Sequence, residues 1–391
     1  MDEHVLLTYR RAEQVFVEGV GAEIRDDQGK VYLDFLSGIA VNALGHGHEG
    51  FVEAVRDQVG RLVHTSNLFR HPYTEAVAGR IARLTGLEAC FFSNSGAEAV
   101  EAALKISRKH QRKLGRPERT GFVALEGSFH GRTMGALSVT HTEKYRAPFG
   151  PLLSGVTFVP VGDEAALESA IRAGQPAALI LEPIQGESGV REVPAAFLKR
   201  ARALCDETGT ILIHDEVQTG CGRTGNFLAA ESAGVRPDIV TLAKPIAAGL
   251  PMGVTVVAKA LAGTLEPGDH GSTFAGGPLA CRAALAFLTA LEEGGLQEHV
   301  RARGQQLRKG LESIERDFPI VVELRGRGLI QAFALSRGAE DLVKDLYGRG
   351  LIVNKTGGDV IRLLPPYVIT SAQIARGLEL LREGLEALGR R

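Results

Sequence analysis

Two apolar runs in the middle of the chain each end on an ionisable side chain: ILIHD, residues 211–215, delivers Asp215, and DIVTLAK, residues 238–244, delivers Lys244. In an open parallel sheet the carboxyl ends of the strands line the ligand crevice, so the acid and the amine are expected at one site. At such a position Asp215 is a metal ligand, an ordinary strand-end acid, or the partner of a protonated ring nitrogen. Its neighbours His214 and Glu216 are weak evidence for metal, because successive strand residues point to opposite faces. Lys244 precedes Pro245 and the small turn IAAGLPMG. An amine there binds phosphate as a point charge, snorkels to water, or adds to a carbonyl. Partial desolvation lowers its pKa and leaves more neutral amine for the last of these.

A third stretch, SNSGAEAVEAALK from Ser93, couples a glycine-containing turn to a helix. Ser95 and Glu98 fit a capping box. Lys109, Arg112 and Lys113 suit the negative end of that helix, and Gly115 and Pro117 stop it. The backbone donors around Gly96 and Ala97 make either a phosphate site or simply a well-capped helix start. Gly45, Gly47 and Gly50 spell G-x-G-x-x-G ahead of FVEAVRDQVGRLV. The preceding VNAL is a poor buried strand and no ribose-binding acid follows at the proper distance, so a plain glycine-rich turn competes with a dinucleotide motif.

The elements that must position these residues alternate between about residues 75 and 258. Helices are expected at 75–85, 97–113, 164–172 and 195–208, and strands at GFVAL, AALILEP, ILIHDEV, DIVTLAK and GVTVVA. Unbroken apolar strands separated by helices imply an α/β fold whose largely parallel sheet is covered on both faces. Residues 14–36 read as a hairpin around DDQG. After Pro278 the pattern changes to two long helices, then VVELRGRGLIQAFAL, a helix, LIVNKT, VIRLLPP and a final helix from Ser371. The expected division is a large domain over residues 46–270 and a smaller α+β domain from residues 1–45 and 271–391.

With 391 residues, 44% of them apolar, 23% charged and a net charge of -1, the chain reads as globular, with no electrostatic reason to bind nucleic acid or an acidic surface. The N-terminus carries no basic-then-apolar leader, and nowhere do 18 apolar residues run together, so the cytoplasm is the default compartment and no membrane contact is expected. Cys90, Cys205, Cys221 and Cys281 show no metal-ligand spacing and read as reduced thiols. The 48 glycines follow no period.

SNSGAEA, SFHGRT, LEPIQGESG, DEVQTGCGRTG, LAKPIAAGLP, GSTFAGGPLA and IRLLPP occur in the order and spacing of the class III pyridoxal-phosphate aminotransferases, which the chain resembles over essentially its whole length. The resemblance implies the PLP-dependent transferase fold type I, aspartate aminotransferase-like. It also implies a homodimer with active sites at the subunit interface and pyridoxal 5'-phosphate on a lysine. On that basis Lys244 looks like the Schiff-base lysine that also moves the proton, and Asp215 like the partner of the pyridine nitrogen. Gln218 is implied as the partner of the ring oxygen and Phe129 as the stacking aromatic. Gly96 and Ala97 are implied as the phosphate cradle, with Thr273 reaching it from the other subunit. Arg132 and Ser272 resemble substrate contacts. Arg362 resembles the arginine that takes the α-carboxylate of glutamate, and Glu187 the acid that pairs with it when the other donor is bound.

SGIAVNALGHGH and HGSTFAGGPLAC are most similar to members that pass the δ-amino group of N-acetylornithine to 2-oxoglutarate, a step of arginine biosynthesis. Relatives with nearly identical motifs act on ornithine, 4-aminobutyrate, succinylornithine or a carrier-linked lysine precursor. Two readings from other classes stand beside this one: a dinucleotide-dependent oxidoreductase, and a PLP-binding regulator without turnover. The chain departs from the family at Pro245, where alanine is usual, and at Glu49, where proline is frequent. Pro245 removes a backbone donor beside the lysine, so an altered turn is expected there.

Overall fold

The computed structural model describes residues 4–390. Its centre is a seven-stranded sheet in the order Val156–Val159, Phe122–Leu125, Ala178–Leu181, Ile211–Asp215, Ile239–Leu242, Gly253–Val257, Ala89–Ser93. The strands pair in parallel except Gly253–Val257, which runs antiparallel to both neighbours. Phe122, Ala124, Ile180, Ile211 and Ile213 pack beneath the helix Gly96–Lys113. Val123, Leu125, Leu179, Leu181 and Leu212 pack on the other face against the helices Glu164–Gly174 and Ala195–Thr208. Burial on both faces, worth about 1.5–3 kcal/mol for each fully covered aliphatic side chain, is why these strands read as continuous apolar runs.

The two strands absent from the sequence reading, Ala89–Ser93 and Val156–Val159, are the two edges of the sheet. Neither is buried throughout: three of the five residues of Ala89–Ser93 are half-buried, and Val156–Val159 has two half-buried and one exposed. The expected hairpin over residues 14–36 forms as Phe16–Val20, Glu23–Asp26 and Val31–Asp34, with DDQG joining the last two. Leu351–Ile352 pairs in parallel with Val31–Asp34, so the N-terminal arm and the last third of the chain share a sheet. A separate antiparallel sheet contains Val321–Arg327, Ile330–Leu335, Val360–Leu363 and Asn354–Thr356. The helix Leu296–Asp317 packs on this sheet and on the final helix Ser371–Gly389.

The G-x-G-x-x-G match does not build a dinucleotide fold. No strand leads into it: residues 41–48 hold only an isolated bridge between His46 and Gly21, and the helix Glu49–Val59 starts on His48 instead. Glu49 is the first residue of that helix, where an acid suits the positive end of the dipole. Among the described residues no helix is long and apolar enough to cross a membrane, no cluster of ligands could hold a metal ion, and the four cysteines are unpaired.

Candidate functional site

A cavity of roughly 400 Å³ opens at the carboxyl ends of the parallel strands. Eight of the residues singled out in the sequence line it: Gly96, Ala97, Phe129, Arg132, Glu187, Asp215, Gln218 and Lys244. Alternation along Ile211–Asp215 puts Asp215 on the face of Ile211 and Ile213 and turns His214 away. His214 is fully buried among the helices of the opposite face, and Glu216 instead accepts the Thr219 hydroxyl and the amides of Ala229 and Ala230. The His-Asp-Glu triplet is therefore three separate environments rather than a metal site.

The Asp215 carboxylate is held from two sides. Its Oδ1 accepts the Thr241 hydroxyl at 3.0 Å and the Val217 amide at 3.1 Å, and its Oδ2 lies 2.7 Å from His130 Nδ1. A carboxylate only accepts, so this contact assigns the proton to Nδ1 of His130. His130 sits beside Phe129 in SFHGRT, where neither its type nor its spacing marks it as a site residue.

Lys244 begins a short 3-10 turn, Lys244–Ala247, with a left-handed φ of 36°. Such a backbone costs a non-glycine residue about 1–3 kcal/mol and persists where the surroundings over-determine it. Burial drives the amine below the ordinary lysine range; Glu187 and Asp215 pull it back up without restoring it, and Arg362 adds to the lowering.

Pro245 proves compatible with this turn. The hydrogen bonds that close it run from the Ile246 amide to Ala243 O at 3.0 Å and from the Ala248 amide to Pro245 O at 2.9 Å, so the missing donor is not one the turn uses. Proline restricts the unfolded chain but disfavours the backbone Lys244 adopts, and these effects oppose one another. Pro245→Ala is expected to change unfolding free energy by less than about 1 kcal/mol and kcat/KM by less than about tenfold, checked by denaturant titration and steady-state assay.

The capping of Gly96–Lys113 departs slightly from the expected box. Ser95 Oγ accepts the Glu98 amide at 3.2 Å, but the Glu98 carboxylate reaches back to the Asn94 backbone amide at 2.8 Å and the Asn94 side chain at 2.9 Å rather than to Ser95. Gly96 and Ala97 are the first two helical residues, whose amides have no acceptor within the helix, and both line the cavity. A Cβ on Gly96 would stand 2.7 Å from Val217 Cγ1, so glycine lets this helix start dock on the segment that follows Asp215.

Arg362 does not line the cavity. It is fully buried on the strand Val360–Leu363, and one terminal nitrogen donates to Glu187 Oε1 at 2.6 Å, to Gly186 O at 3.0 Å and to Gln218 Oε1 at 3.3 Å. The other terminal nitrogen is buried without a partner. Glu187 and Gln218 thus stand between Arg362 and the cavity. Desolvation pushes the Glu187 carboxyl up, but Arg362 and then Lys244 outweigh it and hold the group below the usual carboxylate range.

Ser272 and Thr273 also lie outside this chain's cavity. Ser272 Oγ accepts from Asn94 Nδ2 at 2.8 Å, and Asn67 Nδ2 holds the Ser272 and Ala275 carbonyls at 2.9 and 3.1 Å. Thr273 is exposed, and beside it the apolar side chains of Leu68, Phe69 and Phe274 are 69–87% exposed. Arg132 is exposed at the mouth, its guanidinium 3.5 Å above the centre of the Tyr145 ring. Two further residues, one aromatic and one acid, had no signal in spacing alone. Tyr145 is one, and Glu182 is the other: buried in the cavity wall, it accepts the Phe129 amide at 2.8 Å. Burial, reinforced by Asp215, holds the Glu182 carboxyl well above the ordinary range.

An amine, a doubly held carboxylate, an aromatic face and free helix-start amides in one cavity fit pyridoxal 5'-phosphate, each meeting a different part of that molecule. The family model described as aminotransferase class-III matches residues 8–385. A protein named acetylornithine aminotransferase from Methanosarcina mazei is 45% identical over 382 residues, covering 97% of this chain and 94% of that protein. The crystal structure of an ornithine aminotransferase from Toxoplasma gondii superposes with a TM-score of 0.95 at 34% identity, covering 100% of this chain and 94% of that one. An N-acetylornithine aminotransferase structure from Stenotrophomonas maltophilia gives 0.86 at 35% identity, with 98% of each chain covered.

Proposed function

The chain belongs to the class III aminotransferases, and from that premise we propose that it moves the δ-amino group of N2-acetyl-L-ornithine to 2-oxoglutarate. The products are N-acetyl-L-glutamate 5-semialdehyde and L-glutamate, and the step serves arginine biosynthesis in the cytoplasm. The observation that supports a donor reacting at a terminal amine is the Glu187–Arg362 pair at 2.6 Å, with Glu187 facing the cavity and Arg362 behind it, and the choice of acetylornithine among such donors rests on the 45% identity to the Methanosarcina mazei protein. A donor that reacts at a terminal amine brings no carboxylate to its reacting carbon and leaves the pair closed. Glutamate reacts at its α-carbon and brings a carboxylate that needs Arg362, so Glu187 must swing aside. A buried guanidinium without a partner is costly, and the movable acid keeps it paired in one half-reaction while the substrate pairs it in the other.

Pyridoxal 5'-phosphate, when bound, supplies the electrophilic carbon and the electron-accepting ring. The chain's part is to hold and to move protons. The Gly96 and Ala97 amides would receive the cofactor's phosphate at the positive end of their helix. Phe129 would cover one face of the ring and Gln218 would meet its oxygen. Asp215, fixed by His130 and Thr241, would present a carboxylate to the ring nitrogen. Lys244 would hold the cofactor and, once the incoming donor amine has released it, would move the proton between the substrate's reacting carbon and the cofactor, its amine held by burial below the ordinary lysine range. Arg132, stacked on Tyr145, takes the substrate carboxylate remote from the reaction. In a homodimer the partner subunit's Thr273 reaches the phosphate and the partner subunit's Ser272 the acetylated substrate. The exposed Leu68, Phe69 and Phe274 supply apolar surface for that contact.

A panel of amino donors with 2-oxoglutarate tests the assignment. The expected order puts acetylornithine above succinylornithine, ornithine and 4-aminobutyrate in kcat/KM; ornithine in first place would reassign the donor. Arg362→Ala is expected to lower kcat/KM of the glutamate half-reaction by about 10–100-fold, the size of one charge-assisted contact, and that of the acetylornithine half by less than about tenfold. Single-turnover measurements of the two halves read this directly, and equal losses would remove the case for a switch.

A further inference from the structure

We propose that a second pocket, enclosed by the helix Leu296–Asp317, the turn at Gly326–Gly328 and Thr224, binds a phosphate group in a protonated form, either free or carried by a small monoester. The pocket encloses roughly 280 Å³ and lies apart from the catalytic cavity, with which it shares no lining residue. Arg301 and Arg308 enter it from one face of the helix and Arg327 from the hairpin, while no acid lines it. Each guanidinium has a carboxylate at its outer side, but at the long end of the range: Glu298 at 3.3 Å, Glu312 at 3.4 Å and Glu192 at 3.3 Å. Pairs so exposed contribute little, so these contacts can give way to an anion, while Arg327 keeps its other terminal nitrogen on Ala229 O at 2.8 Å and Arg308 has a long contact to Gly326 O at 3.4 Å.

Gln331 adds a feature that a bare anion would not explain. It is 1% exposed, and its Nε2 donates to Gly304 O at 2.8 Å and to Gly328 O at 2.7 Å, which fixes the orientation of the amide. Gln331 and Thr224 both line the pocket, and the Gln331 Oε1 and the Thr224 hydroxyl are buried without a partner. An unmet buried acceptor costs about 1–3 kcal/mol and calls for a donor. The fitting ligand therefore carries negative charge for three arginines and an O–H for Gln331, which is the chemistry of hydrogen phosphate and not of sulfate. The floor is tightly packed, since a Cβ on Gly304 would stand 2.7 Å from Gly328 Cα. Thr224 belongs to the same stretch as Asp215 and Gln218.

The test uses holoenzyme whose cofactor has been fixed on the protein by borohydride and freed of excess, so that the catalytic phosphate cradle is filled. Calorimetric titrations with inorganic phosphate, sulfate and glycerol phosphate are run at matched ionic strength. The expected result is one saturable phosphate site per chain, with sulfate at least about tenfold weaker. Arg308→Ala, and separately Arg308→Ala with Arg327→Ala, weaken phosphate binding at least about tenfold while transaminase activity before reduction stays at the wild-type level. Glycerol phosphate binding more tightly than inorganic phosphate assigns the site to monoesters, and the reverse order to free phosphate. Sulfate binding as tightly as phosphate overturns the proposal, as does phosphate binding that survives both variants or is absent from the wild type.

Discussion

Lys244→Ala is expected to lower overall transamination by about 10⁴-fold or more, because the two functions proposed for Lys244 leave with one amine. Positioned proton transfer alone contributes about 10²–10⁴-fold, and covalent attachment of the cofactor adds to it. At about 1.4 kcal/mol per decade, a 10⁴-fold loss is ~5.5 kcal/mol of barrier, far more than any packing change at this position would produce. The fold does not depend on the lysine: burial disfavours its charge, and its backbone is held at a strained φ of 36°. The variant is therefore expected to melt within a few degrees of the wild type, which separates lost chemistry from lost structure. Borohydride treatment followed by mass measurement should leave a cofactor adduct on the wild type and none on the variant. Turnover within tenfold of the wild type would sink the assignment.

The parts of this site that were legible in the sequence are those carried by strands buried on both faces. ILIHD and DIVTLAK announced themselves as apolar runs, and their ends fixed Asp215 and Lys244 in space before any side-chain contact was known. The edge strands Ala89–Ser93 and Val156–Val159 did not, since they are only half covered. The helix start at Ser95 was legible from local chemistry, although its acid caps Asn94. Arg362 and Glu187 are a different case. They lie 175 residues apart in sequence, and no spacing rule joins them; only the resemblance pointed to a pair that the fold brings to 2.6 Å. His130 and Glu182 were missed because their work is to hold Asp215 and the Phe129 backbone, and a residue that acts through another leaves no pattern of its own.

Asp215→Asn is expected to lower kcat by about 10²–10⁴-fold, roughly 3–5.5 kcal/mol, with the cofactor still bound. The substitution keeps the shape of the side chain and removes its charge, and the surrounding donors show why an amide cannot replace a carboxylate. Asp215 accepts at both oxygens, from Thr241 and the Val217 amide on one side and from His130 Nδ1 on the other. An asparagine can offer its oxygen to one side only. Facing the Thr241 side, it turns its NH2 against the Nδ1 proton of His130. His130 could move that proton to Nε2, but Nε2 is buried without a partner, so the shift exchanges one unmet donor for another at about 1–3 kcal/mol. The loss of charge opposite the ring nitrogen comes on top of this, and it affects both half-reactions alike because both pass through the same ring. That symmetry distinguishes Asp215→Asn from Arg362→Ala, whose loss falls on the glutamate half. His130→Gln, which removes one of the two holds but leaves the carboxylate, is expected to cost less than Asp215→Asn. Single-turnover rates for both donors on the cofactor-loaded variants decide the matter: rates within tenfold of wild type for Asp215→Asn would mean that the ring nitrogen finds its partner elsewhere.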